Sequence, residues 1–171
     1  MGARYFSQLM SPDLAKQHLL HANEIAHKAV IEGNHPFGAL LVGPDQTTVI
    51  IEQINISQVR HAESTLLLRL ENEFEFSPDQ RWQCTLVTTV EPCAMCAATM
   101  YWSNVGNLVY GMAETKLLAL TGNHPENPTM SLPCRDVFSR GQKNIKVQGP
   151  FEELSELLMR PHRDFWHQAG Q

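Results

Sequence analysis

The chain has 171 residues, of which 43% are hydrophobic, and its formal net charge is −5. This length predicts one domain over residues 1–171, since single domains commonly have about 100 to 200 residues. No apolar run approaches the roughly 18 residues of a membrane span, so we expect a soluble protein without a membrane partner. The 13 lysines and arginines form no basic run. Nucleic acid is therefore a disfavoured partner, although dimerisation could still assemble a basic patch.

The compartment is predicted from the N-terminus and the cysteines. The first residues lack the continuous apolar stretch of a secretory signal, so we expect a cytoplasmic protein. Cys84 and Cys134 stand alone, whereas Cys93 and Cys96 have the spacing of metal ligands. This pattern fits a reducing compartment better than a disulfide framework.

The first half of the chain predicts a helix, a hairpin and a second helix. Ser11 and Pro12 form a typical helix start, and Gly33 is a suitable stop. A turn over residues 43–45 separates two runs rich in β-branched residues, which we interpret as paired strands. The predicted elements are a helix over 12–33, strands over 37–42 and 47–56, and a helix from 61 to about 70.

From residue 84 onward, predicted strands alternate with helices. Residues 84–90 form a β-rich run typical of a buried central strand, and Pro92 marks the next helix start. Residues 121–133 have neither helical nor strand periodicity, which indicates a long ordered loop of the kind that is often functional. Pro161 is expected to kink or end the last helix. The remaining predicted elements are strands over 107–111 and 144–148, a short helix over 114–120, and a helix from 151 to about 160.

This order of elements predicts an α/β fold. Strands that alternate with helices argue for parallel pairing through right-handed crossovers, whereas the opening hairpin is antiparallel. We therefore expect a mixed sheet.

Residues 61–63 and 92–96 contain the residue types of a catalytic zinc site. Structural zinc usually has four protein ligands, whereas His61, Cys93 and Cys96 supply three and leave a position for water. The two thiols lie on one face of a helix start, where the helix dipole favours their ionised forms. We therefore predict a bound Zn²⁺ ion.

Glu63 is the candidate catalytic residue. Zinc lowers the pKa of bound water to about 7 and so supplies a nucleophile at neutral pH. Replacing an amino group on a heteroaromatic ring also requires protonation of a ring nitrogen and of the leaving amine. A carboxylate two residues from a zinc ligand is suited to carry these protons. The pattern therefore predicts a hydrolase that releases ammonia.

Two non-hydrolytic interpretations remain open from the residues alone. A C-x-x-C pair that opens a helix after a strand also occurs in thiol-redox proteins, although such a pair does not need residues 61–63. A zinc-stabilised binding protein would need a fourth ligand. Cys84 is a poor candidate, because the extended run to Val90 rises by about 3.3 Å per residue and carries it far from the site. Cys134 is not excluded by this argument.

The chain resembles the cytidine and deoxycytidylate deaminase superfamily over roughly residues 14–111. The resemblance rests on residues 36–39, Asn55 and the two zinc motifs. The two zinc motifs are highly specific to this superfamily. Within the superfamily, the chain looks most like the branch that contains bacterial guanine deaminases and tRNA adenosine deaminases. Residues 97–111 are similar to the guanine deaminases in particular. The resemblance implies a three-layer α/β/α fold with a five-stranded mixed sheet. It also implies zinc at two helix N-termini and a homodimer whose partner can complete the pocket.

Several side chains are candidate substrate contacts. Asn55 could hydrogen-bond a base edge, aromatic rings could stack on a planar substrate, and polar side chains of the long loop could reach the pocket mouth. Residues 121–135 resemble neither named branch closely, so substrate identity is the least determined feature. The candidates are Asn55, Phe37, Ala62, Trp102, His124 and Glu126.

We therefore expect a zinc-dependent hydrolase that deaminates a purine-type base or nucleoside, with guanine-like substrates favoured. The alternatives are tRNA adenosine, cytosine, a pterin or an aminotriazine. The negative charge and the absence of a basic run favour a small substrate.

Overall fold

The computed structural model describes residues 8–168 and contains a five-stranded sheet with helices on both faces. None of the helices that it describes is long and apolar enough to cross a membrane. The elements are α1 (Pro12–Ile31), β1 (Gly38–Val42), β2 (Val49–Ile54), α2 (Ala62–Glu73), α3 (Pro78–Gln83), β3 (Thr85–Val90), α4 (Ala94–Trp102), β4 (Asn107–Met112), α5 (Glu114–Thr121), α6 (Cys134–Ser139), β5 (Lys146–Gln148), a single 3₁₀ turn (Glu152–Leu154) and α7 (Ser155–Gln168).

The sheet has the strand order β2-β1-β3-β4-β5. β1 pairs antiparallel with both β2 and β3. β3, β4 and β5 pair in parallel, and α4 forms the crossover between β3 and β4. The predicted mixed sheet and the predicted five strands are therefore confirmed.

Successive residues of the central strands face opposite helical layers, as the period of two requires. Leu40 and Val87 pack with α1 in one apolar cluster. Leu41 and Leu86 pack with α2 and α4 in the other. Each fully buried side chain of this size contributes about 1.5 to 3 kcal/mol to stability. Because both layers bury apolar surface against one sheet, the strand ends and helix starts that carry the zinc motifs are held in fixed positions.

Gly38 allows α1 to lie directly on the start of β1. A Cβ atom at this position would collide with the carbonyl group of Ala22 and lie 2.6 Å from the backbone nitrogen of Ala26. The glycine is therefore required by the close approach of two backbones. It also fixes the position of the preceding Phe37.

Two short helices were not predicted. α3 begins with a capping box, in which Ser77 Oγ accepts from the N–H of Gln80 at 3.2 Å and Gln80 Oε1 accepts from the N–H of Ser77 at 2.9 Å. This signal was present in the sequence. α6 begins at Cys134, whose N–H donates to the carboxylate of the distant Glu91 at 3.0 Å. Local sequence gives little indication of a helix that depends on such a contact.

Pro161 was expected to kink or end the last helix, and it does not end it, since α7 continues through it to Gln168. A proline inside a helix costs about 3 kcal/mol. Beyond Pro161, the side chains of His162 and Trp166 are 0% and 3% exposed, and the Trp166 indole N–H donates to His162 Nδ1 at 3.1 Å. Burial of these rings against the body of the protein offsets the cost of the proline.

Acidification is expected to destabilise the protein through His162. Burial, with a smaller effect of His35, lowers the pKa of His162 to about 3. Below about pH 6.5 the unfolded chain binds a proton at this imidazole that the folded chain does not bind. The free energy of unfolding should therefore fall by up to about 1.4 kcal/mol per pH unit as the pH decreases from about 6.5 towards 3.

The test compares urea unfolding of wild type and His162→Gln at pH 7, 6 and 5. Glutamine retains an acceptor for Trp166 but does not titrate, so the variant should show a shallower loss of stability. His35 and His124 are the other titratable groups that contact Trp166, and both remain in the variant, as does Glu126 beside His35. The exposed His27, changed to glutamine, serves as the control. Identical slopes for wild type and His162→Gln would contradict the expectation.

Candidate active site

Three potential metal ligands meet at the N-termini of α2 and α4. His61 Nδ1 lies 3.6 Å from the Sγ atom of Cys93 and 3.6 Å from that of Cys96. In a tetrahedral zinc site, Zn–S bonds of about 2.3 Å and Zn–N bonds of about 2.0 to 2.1 Å separate neighbouring N and S ligands by about 3.6 Å. The three residues therefore fit a zinc ion. A fourth coordination position is left for a ligand from outside this cluster.

The electrostatics of the two thiols suit metal binding. A hydrogen bond from Cys96, together with the neighbouring His61, lowers the pKa of the Cys93 thiol to about 4. The same hydrogen bond and burial raise the pKa of Cys96. The pair therefore gives up a proton readily at Cys93, and metal binding displaces the proton that the pair retains.

The other two cysteines do not belong to the ligand cluster formed by the described residues. Cys84 and Cys134 are both fully buried in the apolar core between the sheet and α2, α4 and α6. Burial raises the pKa of each thiol to about 12. Neither thiol lies among the ligand atoms of His61, Cys93 and Cys96, which are all within 4.8 Å of one another. The geometry therefore argues against a structural zinc completed by either cysteine.

Glu63 lies in the first turn of α2, with its carboxylate turned towards the ligand cluster. The side chain is 5% exposed, and one oxygen accepts a hydrogen bond from Thr88 Oγ1 at 3.1 Å. The other oxygen lies 3.7 Å from Cys96 Sγ. Burial raises the pKa of Glu63. One oxygen is thus held by β3, while the other faces the ligand cluster, where it is positioned to exchange a proton.

A cavity of about 280 Å³ opens over these residues. His61, Cys93 and Glu63 line it, as do Phe37 and Asn55. Residues 126–130 of the loop between α5 and α6 line another side. Ligand sites usually measure about 300 to 1,000 Å³. The cavity therefore fits one small planar molecule.

Three of the six predicted substrate contacts line this cavity, namely Phe37, Asn55 and Glu126. Asn55 is 3% exposed, and its backbone N–H donates to the carbonyl oxygen of Phe37 at 3.2 Å. The start of β1 and the end of β2 thus hold both side chains at the pocket. Their contacts with substrate remain predictions.

The other three predicted contacts lie elsewhere in the structure. Trp102 ends α4 about 13 Å along the helix axis from Cys93 and is 80% exposed, away from the cavity. Ala62 is buried in the core. His124 lies behind the loop, with its ring edge against Trp166 at a centroid distance of 5.2 Å. None of the three lines the cavity formed by the described residues.

The loop wall is held by contacts with residues outside it. Glu126 Oε2 lies 3.2 Å from Nε2 of His35, which follows α1. The backbone N–H of Glu126 donates to His124 Nδ1 at 3.2 Å. The Asn127 amide donates to Thr121 Oγ1 at 3.2 Å. His124 therefore supports the wall through α7 rather than contacting the cavity itself.

Two cavity residues missed from the sequence are acidic. Glu91 follows β3 and Glu114 follows β4, at the carboxyl ends of parallel strands, where ligand sites of α/β sheets commonly lie. That position was the signal that could have identified them. Glu91 accepts hydrogen bonds from the backbone N–H of Glu114 at 3.2 Å and of Cys134 at 3.0 Å. It thereby holds the starts of α5 and α6, the two helices that flank the loop.

Comparison with protein families identifies the class of this site. The family model described as the cytidine and deoxycytidylate deaminase zinc-binding region matches residues 12–112. This match covers more than half of the chain, and the chain therefore belongs to this deaminase family. The protein is a zinc-type deaminase, with His61, Cys93 and Cys96 positioned to bind the ion.

Individual relatives differ in substrate. The chain is 29% identical to a probable cytosine deaminase from Schizosaccharomyces pombe over 166 residues, which cover 94% of this chain and 96% of that protein. It is 36% identical to a tRNA-specific adenosine deaminase from Haemophilus influenzae over 106 residues, which cover 58% of this chain and 59% of that protein.

A solved guanine deaminase from Nitrosomonas europaea is 20% identical, with a TM-score of 0.64 over 95% of this chain and 90% of that structure. At this identity the similarity concerns the fold. It agrees with the predicted three-layer α/β/α architecture.

Proposed function

We propose that the protein hydrolyses the amino group of a nucleobase or nucleoside, with guanine-like purines favoured, to give the oxo base and ammonia. The observation that carries the proposal is the open three-ligand zinc site with the buried carboxylate of Glu63 beside it. The cavity above them has the size of one heterocycle. The same set of groups would be unnecessary in a zinc-stabilised binding protein or a thiol-redox protein.

The zinc ion and the side chains of the protein have different roles in the proposed reaction. Zinc, when bound, supplies a water whose pKa is lowered to about 7. Glu63 takes one proton from the attacking water and delivers it to the ring nitrogen, and then carries the second proton of that water from the added hydroxyl group to the amine, which departs as ammonia. Thr88 keeps one oxygen of Glu63 in place, so that the other oxygen carries the proton. Phe37 and Asn55 hold the ring and its polar edge.

The polarity of the cavity favours an uncharged substrate. Among the described residues that line it, none is lysine or arginine, whereas four are glutamates. Phosphate groups are normally bound by cationic side chains or helix N-termini. A free base or nucleoside therefore suits the cavity better than a nucleotide or a tRNA strand, in line with the net charge of −5.

Cytosine is the second candidate substrate. The probable cytosine deaminase from Schizosaccharomyces pombe is similar over nearly the whole chain. Cytosine and guanine share the reacting unit, an amino group on a ring carbon next to a ring nitrogen. A pyrimidine is the smaller of the two and also suits a cavity of about 280 Å³.

The proposal is tested by measuring ammonia release from the zinc-loaded protein. The panel contains guanine, adenine, cytosine, their nucleosides, pterins and aminotriazines, with an unmodified tRNA as comparison. Zinc-depleted protein serves as the control. Turnover of a free base or nucleoside supports the proposal. Ammonia from tRNA alone, or from none of these compounds, would overturn it.

Asn55→Ala is expected to weaken catalysis in a substrate-dependent way. Removing the amide leaves a polar edge of the substrate unpaired, which costs about 1 to 3 kcal/mol in transition-state binding. This corresponds to a decrease of about 5- to 150-fold in kcat/KM. Values of kcat/KM across the panel check the expectation, with zinc content as the control. Equal losses on every substrate would contradict a role in reading one edge.

We further expect a homodimer that uses the outer face of α4. Met95, which also lines the cavity, and Trp102 lie seven residues apart on α4 and are 36% and 80% exposed. Contiguous exposed apolar side chains commonly mark a contact surface. Light scattering at micromolar concentration should give twice the mass of one chain, and Trp102→Glu should give a monomer. The exposed Leu20 on α1, changed to glutamate, is the control. A monomeric wild type would contradict the expectation.

A further inference from the structure

The four carboxyl groups of the cavity differ in whether they have partners. Glu63 accepts a hydrogen bond from Thr88, and Glu91 accepts two from backbone N–H groups. Glu126 is paired with His35. The fourth carboxyl group, that of Glu114, makes no hydrogen bond or ion pair with any residue that the structure describes. It is therefore the cavity carboxyl group that remains available to a ligand.

The environment of Glu114 makes this lack of a partner unfavourable for stability. Burial, with the nearby Cys93 and Glu91, raises the pKa of Glu114 to about 7. The only lysine of α5, Lys116, points to Glu152 instead, with an N–O distance of 2.8 Å. A partly buried carboxyl group without a partner costs stability. Such a cost is typical of residues whose partner is a ligand.

The backbone of Glu114 is fixed although its side chain is unpaired. Its N–H donates to Glu91 at 3.2 Å, directly after the end of β4. The carboxyl group is thus held at the carboxyl edge of the sheet by a rigid element. Such a position allows it to select among ligands by hydrogen bonding.

We propose that Glu114 determines specificity by accepting a hydrogen bond from a ring N–H of the free base. This N–H belongs to the nitrogen that carries the sugar in the corresponding nucleoside. This inference rests on the proposed deaminase function and narrows its substrate class to free bases. In guanine and in cytosine this N–H is a separate donor from the amino group that is lost. In a nucleoside the same nitrogen has no proton, so the carboxylate would be left unpaired within the cavity.

The experiment uses the base that wild type deaminates in the ammonia screen and the same base methylated at the glycosidic nitrogen. These analogues are 9-methyl for a purine and 1-methyl for cytosine. Wild type should prefer the free base by about 10- to 100-fold in kcat/KM, as expected for a hydrogen bond to a charged group. Glu114→Met, which has no comparable acceptor, should lower activity on the free base and bring the ratio close to one. Glu114→Gln, which retains a neutral acceptor, should lie between them.

Two further measurements separate this role from a structural one. The melting temperature of Glu114→Met should equal or exceed that of wild type, because an unpaired carboxyl group is removed. In a Glu63→Gln background, the Kd for the free base should rise on adding Glu114→Met, while the Kd for the methylated base should change little. The exposed Glu24 on α1, changed to glutamine, is the control for a lost carboxylate.

The outcomes distinguish this inference from the proposed function. If wild type is active and Glu114→Met lowers activity on both compounds equally, the inference is overturned and the function stands. If the variant only gains activity on the methylated base, Glu114 acts by steric exclusion, and the hydrogen-bond proposal is again wrong. If wild type releases ammonia from no base, both the function and the inference fail.

Discussion

Replacement of Glu63 by glutamine is expected to abolish turnover while the protein keeps its zinc, its fold and its ability to bind substrate. Glutamine has nearly the same size and can still accept the hydrogen bond from Thr88, so the first turn of α2 should not move. It cannot exchange protons. Positioned acid-base groups are typically worth 10²- to 10⁴-fold in rate. Because Glu63 serves several proton transfers, we expect a loss of about 10⁴-fold or more in kcat.

The measurement is ammonia release under saturating substrate, together with zinc content and the melting temperature. Glu24→Gln, on the exposed face of α1, should behave as wild type and controls for the charge change. A Glu63→Gln protein with unchanged zinc and near-normal kcat would remove this residue from the mechanism. Loss of zinc in the variant would instead indicate that the carboxylate acts mainly on the metal site.

Removal of a zinc ligand is expected to have an equally large effect through a different route. Cys93→Ala leaves two protein ligands, so the zinc content should fall from one ion per chain towards zero and activity should disappear. Cys84→Ala and Cys134→Ala should retain one ion and measurable turnover, since both thiols lie outside the ligand cluster. This contrast isolates metal ligation from the general effect of losing a cysteine.

X-ray absorption at the zinc edge gives an independent measurement. Two protein thiolates, one imidazole and one water should appear as two sulfur neighbours near about 2.3 Å and two lighter neighbours near about 2.0 Å. A third sulfur neighbour would contradict the open site, and its disappearance in Cys134→Ala would identify the extra ligand.

The parts of the fold that local sequence specifies were predictable. The helix start at Ser11-Pro12, the hairpin turn and the two zinc motifs each depend on contacts within a few residues. α3 carried an equally local signal, a capping box at Ser77 and Gln80, and could have been identified. The features that were mispredicted depend instead on contacts between distant segments.

Pro161 and Glu114 illustrate this dependence. The helix continues past Pro161 because His162 and Trp166 find buried positions against residues far away in the chain, which no local rule for proline includes. Trp102 differs from these two, because its separation from Cys93 along α4 follows from the helix rise and was already readable from the sequence. In the sequence, Glu114 has the position of an ordinary helix start. Its unpaired carboxyl group becomes evident only when the partners of the neighbouring glutamates are known.

The hydrogen bonds of Glu91 have a consequence for how this protein can diversify. They hold the starts of the two flanking helices, α5 and α6, so that changes in the middle of the segment are not transmitted to the strands or the metal ligands. The entropy cost of closing a loop rises by only about 0.6 kcal/mol when its length doubles. Insertions, deletions and substitutions between Gly122 and Pro133 are therefore inexpensive for folding. New substrate ranges can arise by variation in this one segment while the hydrolytic chemistry is inherited unchanged.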